Sequence, residues 1–135
     1  MVVYRFESIQ KAIQNKNLIK MKKVEAIIRK TKFDDVKEAL NEAGIEFFSF
    51  WDVRGVGKAT EARIYRGVKY DTSTIERILI SIYMRDKFLE PTVNAILQAA
   101  KSGQVGDGKV FVSNIDESYR IRTGEAGDKS LYIEE

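Results

Sequence analysis

The chain has no cysteine, no histidine and only one proline among its 135 residues. Without cysteine it cannot contain a disulfide framework, a thiol nucleophile or a thiolate metal site. Without histidine it lacks the commonest acid–base group at neutral pH and the commonest metal ligand in proteins. Hydrolytic, phosphotransfer and zinc chemistry are therefore disfavoured, and a kinase that uses a histidine nucleophile is excluded.

Long apolar runs and long blocks of like charge are missing as well. No segment approaches the roughly 20 apolar residues of a membrane helix, and residues 1–20 lack the apolar core of a secretory signal. We therefore expect a cytoplasmic protein. The net charge of +3 comes from 23 basic and 20 acidic residues dispersed along the chain, which argues against a dedicated nucleic-acid surface.

Strand and helix periodicities alternate from Met21 onward. Strand patterns occupy residues 21–29, 45–53, 75–84 and 109–115. The first predicted helix begins in a capping-box-like start at Thr31 and ends at Gly44, and the second begins at Asp86 and ends at Gly103. The order β-α-β-β-α-β predicts an α+β ferredoxin-like sandwich, in which one antiparallel four-stranded sheet carries both helices on one face.

The face of the sheet opposite the helices also carries apolar side chains in this prediction. Phe47, Leu79, Tyr83 and Phe111 fall on strand positions that the two helices would not cover. An uncovered apolar face usually marks an association surface. The sequence therefore predicts an oligomer.

A loop of 20 residues, 54–73, stands where this fold needs only a short hairpin. Loops of this length are uncommon in compact domains and usually carry function. One interpretation is a mobile hairpin tip, and the other is an arm that contacts a partner. The residues expected to face that partner are Lys58, Arg63, Tyr65, Arg66, Gly67 and Lys69.

A glycine-rich stretch, SGQVGDGK, spans residues 102–109. Its three glycines allow the backbone to approach a ligand and to direct several N–H groups at an anion. Ser102 adds a hydroxyl and Lys109 a positive charge, while Asp107 would position the loop or contact a ribose. This stretch taken alone is also compatible with a plain helix-to-strand turn, and it lacks the spacing of a Walker A motif.

Two arginines, Arg120 and Arg122, follow the last predicted strand. Side chains alternate with a period of two in an extended segment, so an extended stretch from Tyr119 to Arg122 would place both guanidinium groups on one side. Paired guanidinium groups suit bidentate recognition of phosphate. The alternative interpretation is a solvated charged strand.

Four segments together resemble the PII family of nitrogen regulatory proteins. These segments are MKKVEAIIR, which opens the first strand, YRGVKY in the long loop, SGQVGDGKVFV at the glycine-rich stretch, and the closing YRIRTGE. The resemblance covers residues 21 to about 127. It implies an extension at 1–20, a PII-like domain at 21–127 and a short tail at 128–135.

The resemblance implies a homotrimer that binds ATP or ADP, with or without Mg²⁺, in clefts between subunits. The matching nucleotide-binding positions are Ile27, Ser49, Gly55, Gly57, Ser102, Gly106, Asp107, Gly108, Lys109, Arg120 and Arg122. Gly108 and Lys109 would meet the β-phosphate region, and Arg120 and Arg122 would reach from the neighbouring subunit. No catalytic residue is implied, so the expected protein is a regulator with at most slow ATP hydrolysis.

Residues 54–73 resemble the family's T-loop, which docks onto ammonium transporters or other proteins of nitrogen metabolism. Tyr70 matches a tyrosine that is uridylylated in some members. The loop departs from the family at Ala59 and Thr60, where a glutamine and a lysine are usual. That glutamine helps to hold the magnesium ion that carries 2-oxoglutarate, and alanine offers no oxygen ligand. We therefore expect weak or absent 2-oxoglutarate binding, as in a variant group associated with ammonium transporters.

Two other classes of function fit parts of the sequence. One is a small ferredoxin-like phosphohydrolase of the acylphosphatase kind, for which Arg29 would serve a phosphate loop after the first strand. The other is an RNA-binding module, with Phe47, Tyr83 and Phe111 as stacking platforms. The residues after Arg29 form no glycine cradle, and the usual aromatic–glycine RNA-binding motif is absent.

Overall fold

The structure is a computed structural model that describes residues 7–8, 21–57, 64–65, 68–69 and 74–132. Six strands and two helices are defined in this part of the chain. The strands are β1 (Met21–Ile28), β2 (Ser49–Val56), β3 (Ile64–Tyr65), β4 (Val68–Lys69), β5 (Thr74–Arg85) and β6 (Lys109–Asn114). The helices are α1 (Phe33–Glu42) and α2 (Leu89–Ala100). Of the predicted extension at 1–20, only residues 7–8 are described, and their backbone is helical.

Four of the strands form one sheet in the order β2-β5-β1-β6, and every neighbouring pair is antiparallel. The register places Val24 of β1 between Ile82 of β5 and Val112 of β6. With α1 and α2 inserted after β1 and β5, this is the predicted ferredoxin-like sandwich, and the prediction of the fold is confirmed.

Alternation along β1 and β5 decides which residues enter the core. Side chains of every second residue point to the same face of a strand, so Val24, Ala26 and Ile28 lie together on the face that α1 and α2 cover. The largest fully buried side chains from the strands and helices are Val24, Ile28, Val36, Leu40, Ile80, Ile82, Thr92 and Ile96. Burying each aliphatic side chain contributes about 1.5–3 kcal/mol, and this cluster holds the helices on the sheet.

Both helices begin differently from the prediction. Neither Thr31 nor Asp86 caps a helix, since each lies in a short 3₁₀ turn, Lys30–Lys32 or Asp86–Phe88, and neither α1 nor α2 has a side-chain N-cap hydrogen bond. The 3₁₀ turns run directly into the α-helices, so the chain enters each helix without a capping side chain. Pro91 in the first turn of α2 is tolerated because its missing N–H has no helical partner there.

The second strand begins at Ser49 and not at residue 45 as predicted. Gly44 ends the first helix with a φ of +88°, and the N–H of Ile45 then bonds to the carbonyl of Leu40 at 2.9 Å. This closing bond holds the aromatic segment 45–48 outside the sheet. Phe47 consequently precedes β2 and does not lie on it, although it lines a pocket together with Tyr83.

The long loop begins three residues later than predicted, at residue 57, and ends at residue 73 as predicted. Arg54 pairs with Glu76 and Val56 with Thr74, so that β2 and β5 continue as a ladder beyond the expected strand ends. The connection therefore covers residues 57–73 and not 54–73. Within it, Ile64 pairs with Lys69 and Tyr65 with Val68 in a small two-stranded sheet, where the sequence showed no periodic element.

The sheet face opposite the helices carries a cluster of partly exposed apolar side chains beside the Lys23–Glu25 ion pair. Trp51, Tyr83 and Phe111 retain 47, 53 and 52% of their accessible surface, and Ile27 and Leu79 are half-buried beside them. We call these five residues the open face. The part of the chain that the structure describes contains no helix long and apolar enough to cross a membrane.

Candidate functional site

The glycine-rich loop, residues 102–108, connects the end of α2 to β6 and is organised around one carboxylate. Asp107 accepts hydrogen bonds from the backbone N–H groups of Ser102 and Gly103, both at 2.9 Å, and from the Ser102 hydroxyl. The hydrogen bond from the Ser102 hydroxyl, aided by those from the backbone and from Arg29, holds the pKa of Asp107 well below its usual range. Asp107 therefore positions the loop as a carboxylate, which is one of the two roles the sequence left open.

Two arginines from neighbouring strands bind the outer side of this loop. Arg29, directly after β1, donates from Nε to Asp107 Oδ1 at 3.1 Å and from Nη2 to the carbonyl of Val105 at 3.0 Å. Arg77 on β5 donates from Nη2 to the carbonyl of Gly106 at 3.1 Å. Burial, followed by repulsion from Arg29, lowers the pKa of Arg77, while Asp107 opposes that shift. The two guanidinium groups thus concentrate positive charge on the loop.

Gly108 is required where the loop joins β6. Its φ is +103°, and a Cβ atom at this position would lie 1.7 Å from the carbonyl oxygen of Ile27. At Gly106, which has a φ of +100°, a Cβ atom would lie 3.3 Å from a guanidinium nitrogen of both Arg29 and Arg77. Only glycine allows the loop backbone to lie against the end of β1 with its amides uncovered by side chains.

Most of the predicted nucleotide-binding residues lie together around this loop. Ile27, Asp107, Gly108 and Lys109 line a pocket of about 230 Å³ beside the end of β1, and the antiparallel register pairs Ile27 with Lys109. Ser102 and Gly106 belong to the same loop. A pocket that joins an apolar wall to a glycine loop and a lysine suits a ligand with an apolar ring and an anionic group.

The three predicted residues of the second strand are more dispersed. Gly55, near the end of β2, pairs with Ile75, and Gly57 follows the strand. These two glycines lie at the same end of the sheet as the glycine-rich loop, because β2 and β1 both run antiparallel to β5. Ser49 pairs with Ser81, which in turn pairs with Glu25, so it lies further along the sheet.

The prediction that the segment around Arg120 and Arg122 is extended is wrong. Residues 121–123 form a turn, in which the N–H of Gly124 bonds to the carbonyl of Arg120 at 2.7 Å and the N–H of Arg120 bonds to the carbonyl of Glu125 at 2.8 Å. Tyr119 pairs with Ala126 in an isolated bridge. Glycine at residue 124, with a φ of +73°, lets the chain reverse there, so the two arginines do not share one side of a strand.

Within one chain, Arg120 and Arg122 also lie far from the glycine-rich loop. The loop precedes β6, whereas the arginines follow it, and the N–H of Ile115 bonds to the carbonyl of Met21 at the opposite end of β1. The six residues of β6 separate the two groups by about 20 Å at roughly 3.3 Å per residue. A single subunit therefore does not bring all of the predicted phosphate-binding side chains together.

The long loop is described only in part. Tyr65 and Lys69 lie in the two strands of the small hairpin. Lys58, Ala59, Thr60, Arg63, Arg66, Gly67 and Tyr70 lie outside the described residues. The predicted roles of these residues in partner binding, modification and 2-oxoglutarate sensing stay predictions.

Arg29 was not assigned to the glycine-rich loop in the sequence analysis. Its two contacts with the loop join residues 76 and 78 positions apart in the sequence, so no local motif reveals them. The sequence nevertheless contained a signal. If β1 pairs antiparallel with β6, the residue after β1, Arg29, must lie beside the glycine-rich loop that precedes β6. The contact of Arg77 with Gly106 joins residues 29 positions apart, so no local motif reveals it either.

Comparison with known proteins places this site in a family. The sequence profile of the family described as nitrogen regulatory protein P-II matches residues 21–125. A nitrogen regulatory protein P-II from Bradyrhizobium diazoefficiens is 45% identical over 108 residues, which cover 79% of this chain and 96% of that protein. One from Rhodobacter capsulatus is 43% identical over 112 residues, covering 82% of this chain and all of that protein. The chain belongs to the P-II family.

Solved structures agree with this assignment. Bacillus subtilis GlnK superposes with a TM-score of 0.69 at 34% identity, over 83% of this chain and 99% of that one. Arabidopsis thaliana PII bound to citrate gives 0.67 at 32% identity, over 82 and 92% of the two chains. A complex of the B. subtilis GlnK with ATP gives 0.67 at 29% identity, over 83 and 98%. The P-II relatives are named as regulatory proteins and not as enzymes.

Proposed function

We propose that this P-II protein binds ATP and ADP on its glycine-rich loop and uses the bound nucleotide to control a partner protein. The observation that carries the proposal is the close approach of Gly108 to the backbone of Ile27. The loop backbone there has no side chain covering it, and it lies beside Lys109 and an apolar pocket. Backbone N–H groups in such a turn bind anions, and the lysine adds a charge for phosphate. The ATP complex of the similar GlnK supports adenine nucleotides as ligands.

The binding cleft is completed, in this proposal, by a neighbouring subunit of a homotrimer. Arg120 and Arg122 lie at the far end of the sheet from the glycine-rich loop, so they serve the cleft of another copy. The open face supplies the contact between copies, because its three large aromatic side chains each leave about half of their surface uncovered. Residues 21–127 form the assembling domain.

Residues 57–73 act as the partner-binding arm. The arm leaves the sheet at Val56 and returns at Thr74, near Gly55 and at the same end of the sheet as the nucleotide loop. ATP and ADP would favour different arrangements of this arm, since only the γ-phosphate and its Mg²⁺ differ between them. We propose an ammonium transporter or another protein of nitrogen metabolism as the partner. The protein that contacts it is, in this proposal, a cytoplasmic trimer that hydrolyses ATP slowly at most.

The described residues offer Mg²⁺ few ligands of their own. No group of three carboxylates lies close together among them, and Asp107 is already bound to Ser102, Gly103 and Arg29. Mg²⁺ prefers oxygen ligands and commonly reaches proteins through substrate phosphates. We propose that the ion binds together with ATP, and that Ala59 removes a ligand on which 2-oxoglutarate binding depends.

Calorimetry with ATP and ADP tests this proposal. The double variant Arg120→Ala, Arg122→Ala should bind ADP at least about 100-fold more weakly than the parent, because each charge-assisted contact to phosphate is worth about 1.5–3 kcal/mol. Lys37→Ala, Lys87→Ala is the control, since it removes two exposed cations outside the glycine-rich loop. Equal ADP affinity in the parent and the arginine variant would contradict the phosphate assignment. Tight, Mg²⁺-dependent binding of 2-oxoglutarate beside ATP would contradict the assignment of Ala59.

A further inference from the structure

Both terminal nitrogens of Arg120 are bound by residues that follow it in the chain. Its Nη1 donates to Glu125 Oε2 at 3.2 Å, and its Nη2 donates to the carbonyl of Lys129 at 3.0 Å and to that of Tyr132. Only 21% of the side chain remains accessible. The terminal nitrogens that would bind a phosphate in a bidentate pair therefore contact protein oxygens instead.

The segment that supplies two of these oxygens is residues 127–132, which we call the latch. A 3₁₀ helix, Gly127–Leu131, places the Lys129 carbonyl over Arg120. The start of the latch is attached to the preceding loop, because the N–H of Gly127 bonds to the carbonyl of Ser118 at 2.9 Å and the Ser118 hydroxyl bonds to the carbonyl of Gly127 at 3.1 Å. The Ser118 hydroxyl also lies within hydrogen-bond distance of the Ser130 hydroxyl, so Ser118 holds the latch from residue 127 to residue 130.

Arg85 of β5 contacts the latch near its start, at Asp128, and at its last residue, Tyr132. Its Nη2 lies 3.4 Å from Asp128 Oδ2, and its guanidinium carbon lies 4.6 Å from the centroid of the Tyr132 ring. Both contacts are partly exposed, with 31 and 34% of the Arg85 and Asp128 side chains accessible. No residue of the latch is fully buried. Partly exposed ion pairs and cation–π contacts are individually weak, so the latch can open without disturbing the core.

We propose that the latch is an autoinhibitory element that competes with nucleotide for Arg120. The inference rests on the proposed nucleotide function of Arg120. In the closed state the guanidinium is satisfied by the Glu125 carboxylate and the two carbonyls. In the open state it is free to reach the phosphates of a nucleotide held on the glycine-rich loop of a neighbouring subunit. The apparent affinity for nucleotide is then reduced by the fraction of molecules in which the latch is closed.

Loosening the latch should therefore tighten nucleotide binding. The full-length double variant Asp128→Asn, Tyr132→Ala removes both contacts to Arg85 and leaves Arg120 and Glu125 in place. Calorimetry with ADP should show an affinity about threefold to tenfold higher than that of the parent, which is the factor expected from losing two weak contacts of the closed state. Asp116→Asn is the matched control, because it removes one exposed carboxylate outside the latch and should leave the affinity unchanged.

Hydrogen–deuterium exchange of the parent provides an independent measurement. Adding ADP should speed exchange in the peptide that contains residues 127–132 and slow it in the glycine-rich loop. A latch that only supports the fold would show slower or unchanged exchange with ADP. This readout does not depend on the stability of any variant.

The outcomes separate the latch from the proposed function. If the parent binds ADP while the loosened variant binds equally or more weakly, and residues 127–132 exchange no faster, the latch is refuted and nucleotide binding stands. If only the loosened variant binds ADP, the latch is supported in its strongest form. If neither protein binds ADP, the proposed function fails and the latch fails with it.

Discussion

Replacing Gly108 by alanine tests the close approach of the glycine-rich loop to the end of β1. The added Cβ atom would lie 1.7 Å from the carbonyl oxygen of Ile27 and 2.8 Å from its carbonyl carbon, both of which are backbone atoms of β1 that cannot rotate away. The positive φ of +103° adds strain for any residue with a side chain. Together these effects should cost about 3 kcal/mol, from unfavourable backbone dihedrals and a forced shift of the loop.

Two other glycines provide a graded comparison. Gly103 has a φ of +87° with no atom within 4 Å of the added Cβ, and Gly55 has neither a positive φ nor a close neighbour. Gly103→Ala should therefore cost about 1–2 kcal/mol from the left-handed conformation alone. Gly55→Ala should stay within about 0.5 kcal/mol of the parent. The expected order of destabilisation is Gly108 first, then Gly103, then Gly55.

Thermal unfolding at equal protein concentration measures this order. The melting temperature should fall by about 10 °C for Gly108→Ala, since about 1 kcal/mol corresponds to a few degrees in a domain of this size. Calorimetry should show weakened ADP binding in the same variant, because the loop must leave the end of β1. A Gly108→Ala protein as stable as Gly103→Ala would refute the close approach to Ile27.

Two further predictions concern the loop carboxylate and the open face. Asp107 has a lowered pKa, so its stabilising hydrogen bonds are present above the ordinary aspartate pKa of about 4 and are lost as the pH falls toward its folded value. Acid titration of stability should therefore be flatter for Asp107→Asn than for the parent below about pH 4, and an identical slope would show that the carboxylate does not hold the loop. Leu79→Glu places a charge among half-exposed aromatic residues of the open face and should reduce the sedimentation coefficient from that of a trimer toward that of a monomer. A Leu79→Glu protein that stays trimeric would exclude this face as the assembly surface.

The arrangement of strands and helices could be predicted because buried and exposed residues alternate along the strands, and this alternation is visible in the sequence. The strand residues Ile78, Ile80 and Ile82 follow a period of two, and all are buried on one face. The ends of the elements were less predictable. The aromatic segment 45–48 has the composition of a strand, yet it lies outside the sheet, where the N–H of Ile45 bonds to the carbonyl of Leu40. A contact of this kind cannot be inferred from composition.

The candidate site was predictable where one short segment encodes it. The glycines at residues 106 and 108 lie close together in sequence, and glycine is the residue type that adopts the positive φ angles found there without steric cost. The conformation around Arg120 was missed because the alternation rule was applied to a segment that reverses. Gly124, two residues after Arg122, was the available sign of a turn. The contacts of Arg120 to residues 129 and 132 depend on how the tail folds back.

In the proposed site, the separation of the glycine-rich loop from Arg120 requires oligomer assembly for nucleotide binding. A monomer holds Gly108 and Lys109 at one end of its sheet and Arg120 at the other, about 20 Å away by the length of β6. One nucleotide cannot bridge that distance with a single phosphate group, so a monomer can offer only the lysine half of the site. Leu79→Glu leaves Gly108, Lys109 and both arginines in place, and it should then weaken ADP binding about as much as the double arginine variant does. A monomeric Leu79→Glu protein with the ADP affinity of the parent would show that the arginines do not act between subunits.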